Sequence, residues 1–131
     1  MKMADIPMNT CMPYKKYETC TTTVTVPNTL IKVFANLNWD VYRTIWGEKS
    51  EFLVTGTMKN YDVRRRLREI IIPTLIIIGD SDMVPIDLAR RDAQSFQNSR
   101  LVVLEDAKHF SFLDQPKKFE KAVADFLKES T

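Results

Sequence analysis

Three residues in the second half of the chain have types and spacing suited to hydrolytic chemistry: Ser81, Asp82 and His109. The first two lie in "PTLIIIGDSDMVP", Pro73 to Pro85. There an apolar, β-branched run delivers the polar turn Gly79-Asp80-Ser81-Asp82 to its carboxyl end, where open α/β sheets place their chemistry. A serine on such a turn acts as a nucleophile within G-x-S-x-G, whose small residues permit the strained elbow. "GDSDM" keeps the first glycine and puts Met83 at the second. Asp80 and Asp82 flank the serine, and their charge opposes an alkoxide. Ser81 therefore reads poorly as a nucleophile. Asp82 reads better as the acid of a triad ordered Ser, then Asp or Glu, then His. His109 follows it by 27 residues, in "LEDAKHFSFLDQP", with room for one helix and one strand between. An imidazole general base needs a carboxylate to fix its tautomer and stabilise its charged form. The plainer alternative makes Asp82 a helix cap and His109 an ordinary loop residue, and spacing alone leaves both open.

These residues need elements to position them. Leu75 to Ile78 reads as a strand, Pro85 to Phe96 as a helix with Leu88, Ala89, Ala93 and Phe96 inward, and Arg100 to Asp106 as a second strand. Pro116 to Lys128 reads as a final helix with Phe119, Val123, Phe126 and Leu127 inward, and Asp114 is placed to help cap its start. Both strands are apolar on successive residues, the mark of parallel strands buried on both faces. Two strands alone leave open edges beside "REIIIPTLIII", an aggregation-prone run. The pattern therefore asks for more sheet than these elements supply. Upstream, residues 1–26 show no clear period, although Thr19 to Val26 is β-branched enough for a strand. Pro27 and Asn28 open a helical pattern through Leu30, Ile31, Phe34, Leu37 and Val41. A second helix over Asp40 to Trp46 ends at Gly47. Trp39, Tyr42 and Trp46 share one stripe, read first as core and second as a pocket wall. "KNYDVRRRLREI" reads as a short helix capped by Asp62, with Arg64 to Arg68 as its solvated side.

Composition narrows the function. The chain has 131 residues, 44% of them hydrophobic, and a formal charge of +2. That suits one domain with a core and gives no sign of a nucleic-acid partner. Cys11 and Cys20 lack metal-ligand spacing, and with 1 histidine in the chain a zinc site is not expected. Both read as free thiols of a cytoplasmic protein. No signal-peptide pattern opens the chain, and no apolar run reaches membrane-spanning length. Glycine is scarce, with 3 residues, and there is no nucleotide-binding glycine loop.

From about Pro27 onward the sequence resembles the C-terminal part of proline iminopeptidases, serine aminopeptidases of the α/β-hydrolase fold. "DVYRTIWGEKSEFLVTGTMKNYDV" resembles the end of that family's helical cap. "IPTLIIIGDSD" resembles the strand leading to the catalytic aspartate. "LEDAKHFSFLDQPKKFEKAVADFL" resembles the histidine loop and last helix. The first stretch is much more specific to the family than the other two, which are common to many α/β-hydrolases.

The resemblance implies an α/β fold that is an incomplete α/β-hydrolase. Residues 1–61 would hold an N-terminal segment and the end of the cap, and residues 62–131 the last two β-α units of a parallel sheet. It implies Asp82 as triad acid and His109 as general base. It implies Glu51 as a holder of the substrate's free α-amino group, with Tyr42 and Trp46 beside it as pocket wall. Two departures stand out. Met83 occupies the place of a second amine-binding glutamate, and neither the G-x-S-x-G elbow nor the glycine-rich oxyanion loop is in this sequence. The expectation is a chain that carries the acid and base of a peptidase acting on small peptides, uses no cofactor or metal, and is inactive alone. Its open sheet edge would meet a missing N-terminal half or a second copy. The alternatives are a non-catalytic remnant that binds a partner, and an esterase of the same fold.

Overall fold

The computed structural model describes residues 22–25, 28–48 and 53–130. They fall into two compact units, residues 28–48 with 53–62, and residues 22–25 with 63–130.

In the first unit, spacing of three and four produces helix α1 (Asn28–Ala35) and helix α2 (Trp39–Trp46). The Asn38 side chain caps α2 by accepting from the Val41 amide at 3.1 Å. Gly47 ends it with φ of 97°, donating to the Arg43 carbonyl at 2.7 Å. A β-carbon there would stand 2.0 Å from Thr55 Oγ1, so both the left-handed backbone and the returning chain require glycine. The Thr55 and Gly56 amides close the return by donating to the Trp46 carbonyl at 2.9 and 3.1 Å. "KNYDVRRRLREI" differs from its expected form. It yields two separate 3-10 turns, Thr57–Asn60 in this unit and Arg64–Glu69 in the next. Val63 rather than Asp62 holds the cap position of the second, without a side-chain bond. Arg64, Arg65, Arg66 and Arg68 are exposed, as a solvated face requires.

In the second unit, strand β1 (Thr74–Gly79) leads to helix α3 (Ile86–Ala93), and strand β2 (Ser99–Leu104) leads to the short helix α4 (Ser111–Asp114) and to α5 (Pro116–Glu129). The two strands are parallel, in register from Thr74 opposite Ser99 to Gly79 opposite Leu104. Ile78, Leu104 and Ala107 are buried at and just beyond their carboxyl ends, and Ala89 and Ala93 are buried on α3. Helix α3 stops at Ala93, short of Phe96, because the Ser99 hydroxyl takes the Ala93 carbonyl at 2.7 Å and the Phe96 amide takes it at 3.2 Å. Strand β2 stops at Leu104, before Asp106, because Asp106 turns left-handed with φ of 57°.

Three further expectations are corrected. Asp114 does not cap α5; Gln115 holds that position without a side-chain bond, while the Asp114 carboxylate turns toward residues 22–23 and 108. Leu127 is 59% exposed, because a sheet of two strands is too narrow to cover both it and Phe126. Of the stretch Thr19 to Val26, Thr22 to Thr25 form a bend and no strand, and the other residues lie outside the described ones. There the Thr22 hydroxyl accepts from the Val24 amide at 3.1 Å, a local bond that competes with a sheet ladder.

Burial on both strand faces is incomplete. Leu75, Ile76 and Ile77 are only half-buried, and just upstream Ile71 and Ile72 are 70% and 67% exposed. Among the described residues no helix is long and apolar enough to cross a membrane.

Candidate active site

The site is built at the carboxyl ends of the two strands. After β1 the chain turns tightly. The Asp80 amide donates to the Leu104 carbonyl at 2.9 Å, the Ser81 amide to the Ala107 carbonyl at 3.0 Å, and the Asp82 amide back to the Gly79 carbonyl at 3.3 Å. Asp82 Oδ1 then accepts from the Val84 amide at 2.8 Å, a side-chain turn that fixes the carboxylate just before Pro85 opens α3.

His109 sits in the loop after β2. Its Nδ1 lies 3.1 Å from Asp82 Oδ1 and 3.3 Å from Oδ2. A carboxylate only accepts, so the ring nitrogen facing it carries the proton, and Nε2 keeps a lone pair available as a base. The Asp82 side chain is 6% exposed and that of His109 is 44% exposed. The carboxylate is sealed and the imidazole faces outward, an arrangement in which the ring could exchange a proton with an external group.

The histidine loop is pinned from several sides. Ala107 is fully buried against Gly79, where a β-carbon would stand 2.1 Å from the Ala107 carbonyl oxygen and 2.5 Å from that of Lys108. Asp80 accepts from the backbone amides of Asp106 and Ala107. Asp114 Oδ2 accepts from the Lys108 amide at 2.8 Å, while Oδ1 accepts from the Thr22 hydroxyl and from the Thr23 amide at 2.7 Å. Both carboxyls are held below the ordinary value of 3.8. For Asp80 the main cause is the Asp106 amide. For Asp114 burial pushes upward, and the Thr22 hydroxyl with the Lys108 and Thr23 amides outweighs it.

The structure brings Asp82 and His109 together and leaves Ser81 exposed on the turn. Tyr42 and Trp46 lie in the other unit, on α2, half-buried, with Tyr42 edge-on to Trp39 at 5.4 Å between ring centres. Glu51, Cys11 and Cys20 lie outside the described residues. Met83 is 38% exposed. Among the described residues no three His, Cys, Asp or Glu side chains gather as metal ligands. Sequence reasoning missed Asp80 and Asp114 as holders of the loop. Asp80 carried a local signal, since it directly follows the strand-ending glycine. Asp114 carried only the look of a helix cap, and two of its partners, at 22 and 23, are far upstream.

No protein-family model matches the chain. A proline iminopeptidase of Saccharolobus solfataricus is 32% identical over 78 residues, covering 60% of this chain and 25% of that protein. The crystal structure of a proline iminopeptidase from Mycobacterium smegmatis superposes with a TM-score of 0.80 at 26% identity, over 89% of this chain and 40% of that one. An esterase from Exiguobacterium antarcticum superposes with a TM-score of 0.61 at 27% identity, over 87% of this chain and 41% of that one. The chain thus carries part of an α/β-hydrolase fold. It spans 25–34% of the curated proline iminopeptidases that it matches, which align with its C-terminal part.

Two outcomes follow from the pinned loop. Gly79→Ala forces backbone against backbone, so urea denaturation should show a loss of about 2–3 kcal/mol; a variant as stable as the parent contradicts the seat described. Asp80 and Asp114 bind protons less readily folded than unfolded, so their contribution is present above the ordinary carboxylate value and is lost as pH falls through the lowered folded values. The thermal midpoint should drop between about pH 5 and about pH 2. Asp114→Asn should flatten that slope, and an unchanged slope contradicts the assignment.

Proposed function

We propose that this chain supplies the acid and the base of a serine hydrolase of the proline iminopeptidase kind, acting with a serine that these 131 residues do not provide. The observation that carries the reading is the Asp82–His109 pair, at 3.1 Å, at the strand ends of a partial α/β-hydrolase fold. In the reaction, His109 Nε2 takes the proton of the attacking serine and returns it to the leaving amine. Asp82 holds the ring and stabilises its charged form. The bond broken is that joining an N-terminal proline to the rest of a small peptide. Glu51 holds the free α-amino group by a charge-assisted bond, and Tyr42 and Trp46 wall the ring pocket. The chain works in the cytoplasm, where Cys11 and Cys20 stay reduced. It completes its sheet with strands of an N-terminal half, a reading supported by the half-buried strands and by the share of its relatives that it spans.

A second reading, an esterase of the same fold, is favoured by Met83 in place of an acidic side chain and by the likeness to the Exiguobacterium antarcticum esterase. A third, a remnant that only binds a partner, predicts a stable complex without turnover. One experiment separates them. The chain is joined behind the N-terminal part of the Mycobacterium smegmatis proline iminopeptidase and assayed on a prolyl amide and on a simple acetate ester. The proposed function predicts preference for the prolyl amide, with turnover reduced at least about a thousandfold by His109→Ala. Preference for the ester selects the second reading. Turnover indifferent to His109→Ala overturns the assignment.

A further inference from the structure

Asp114 spends its two carboxylate oxygens on two distant pieces of chain. One oxygen accepts from the amide of Lys108, the residue directly before His109, at 2.8 Å. The other accepts from the Thr23 amide at 2.7 Å and from the Thr22 hydroxyl. Thr22 is 2% exposed, so its hydroxyl has no solvent to turn to if the carboxylate leaves. Asp114 is also fixed from behind. Its own amide donates to the Phe110 carbonyl at 3.1 Å, as does that of Leu113 at 2.8 Å, so α4 folds directly back on the histidine turn. Residues 108 to 114 therefore form a closed ring, with His109 on it and the Asp114 carboxylate as its clasp.

We propose that Asp114 is a positioning residue for His109, and that it makes the ordering of residues 22–25 and the placement of His109 against Asp82 one event. It touches no reacting atom. It acts by fixing the backbone from which the imidazole projects, through a carboxylate that the upstream threonines hold in place. The proposal rests on the general-base role given to His109 above for its meaning in catalysis, but its geometry is measured without any turnover.

With 1 histidine in the chain, its ring signals in nitrogen-15 NMR are unambiguous. The parent should show a protected Nδ1 proton facing Asp82. In Asp114→Ala that proton should be lost to exchange, the ring shifts should move toward the mixed tautomers of free imidazole, and exchange at the Lys108 amide should speed up at least about tenfold. Asp114→Glu keeps the carboxylate and should recover part of the parent signal. Thr22→Val removes only the hydroxyl, keeps its shape, and should move the ring in the same direction by less. If circular dichroism shows that Asp114→Ala does not fold, Thr22→Val decides. Ring signals unchanged in a folded Asp114→Ala, or in Thr22→Val, overturn the proposal. A ring that moves in these variants while the joined hydrolase is inactive leaves the proposal standing and removes the function assigned to the pair.

Discussion

The backbone between Asp106 and Lys108 is the constraint on which the rest of the site depends. It lies directly over Gly79, so close that no side chain fits between. Its amides are taken by two carboxylates, Asp80 from the end of β1 and Asp114 from the end of α4. Those bonds are charge-assisted and partly shielded, and so are worth more than ordinary surface contacts. They convert a loop after a strand into a fixed platform, and His109 projects from that platform onto Asp82. The exposed ion pairs, such as Arg100 with Glu129 at 2.7 Å, contribute little by comparison.

The same platform explains why the core sits where it does. Ile78, Leu104 and Ala107 are buried around the strand ends, while the strands' middles are only half-covered. A sheet finished by further strands would cover Leu75, Ile76 and Ile77, and this is the physical content of the proposed N-terminal half.

Much of this was legible in the residues. Unbroken apolar runs marked both strands, and Gly47 marked the end of α2. The order and spacing of Asp82 and His109 left an acid–base pair and a helix cap with a loop residue both open, and the resemblance to proline iminopeptidases favoured the pair. What was illegible was long-range or geometric. Asp114 looks like a helix cap by position, and only the fold shows its carboxylate turned toward Thr22 and Thr23. The left-handed Asp106 cut β2 short, and the Ser99 hydroxyl ended α3 early, both through bonds that periodicity does not encode. The stripe of Trp39, Tyr42 and Trp46 was visible as a pattern, yet its use as a core or a pocket wall depends on what packs on it.

The central proposal is that Asp82 and His109 act as acid and base with a serine from outside these 131 residues. The most direct measurement is fluorophosphonate labelling of the purified chain, read by intact mass, with circular dichroism to establish that it is folded. The account predicts a folded chain without an adduct. An adduct on the folded chain, mapped to Ser81 by peptide mass, would contradict it and make the turn after β1 the seat of the nucleophile.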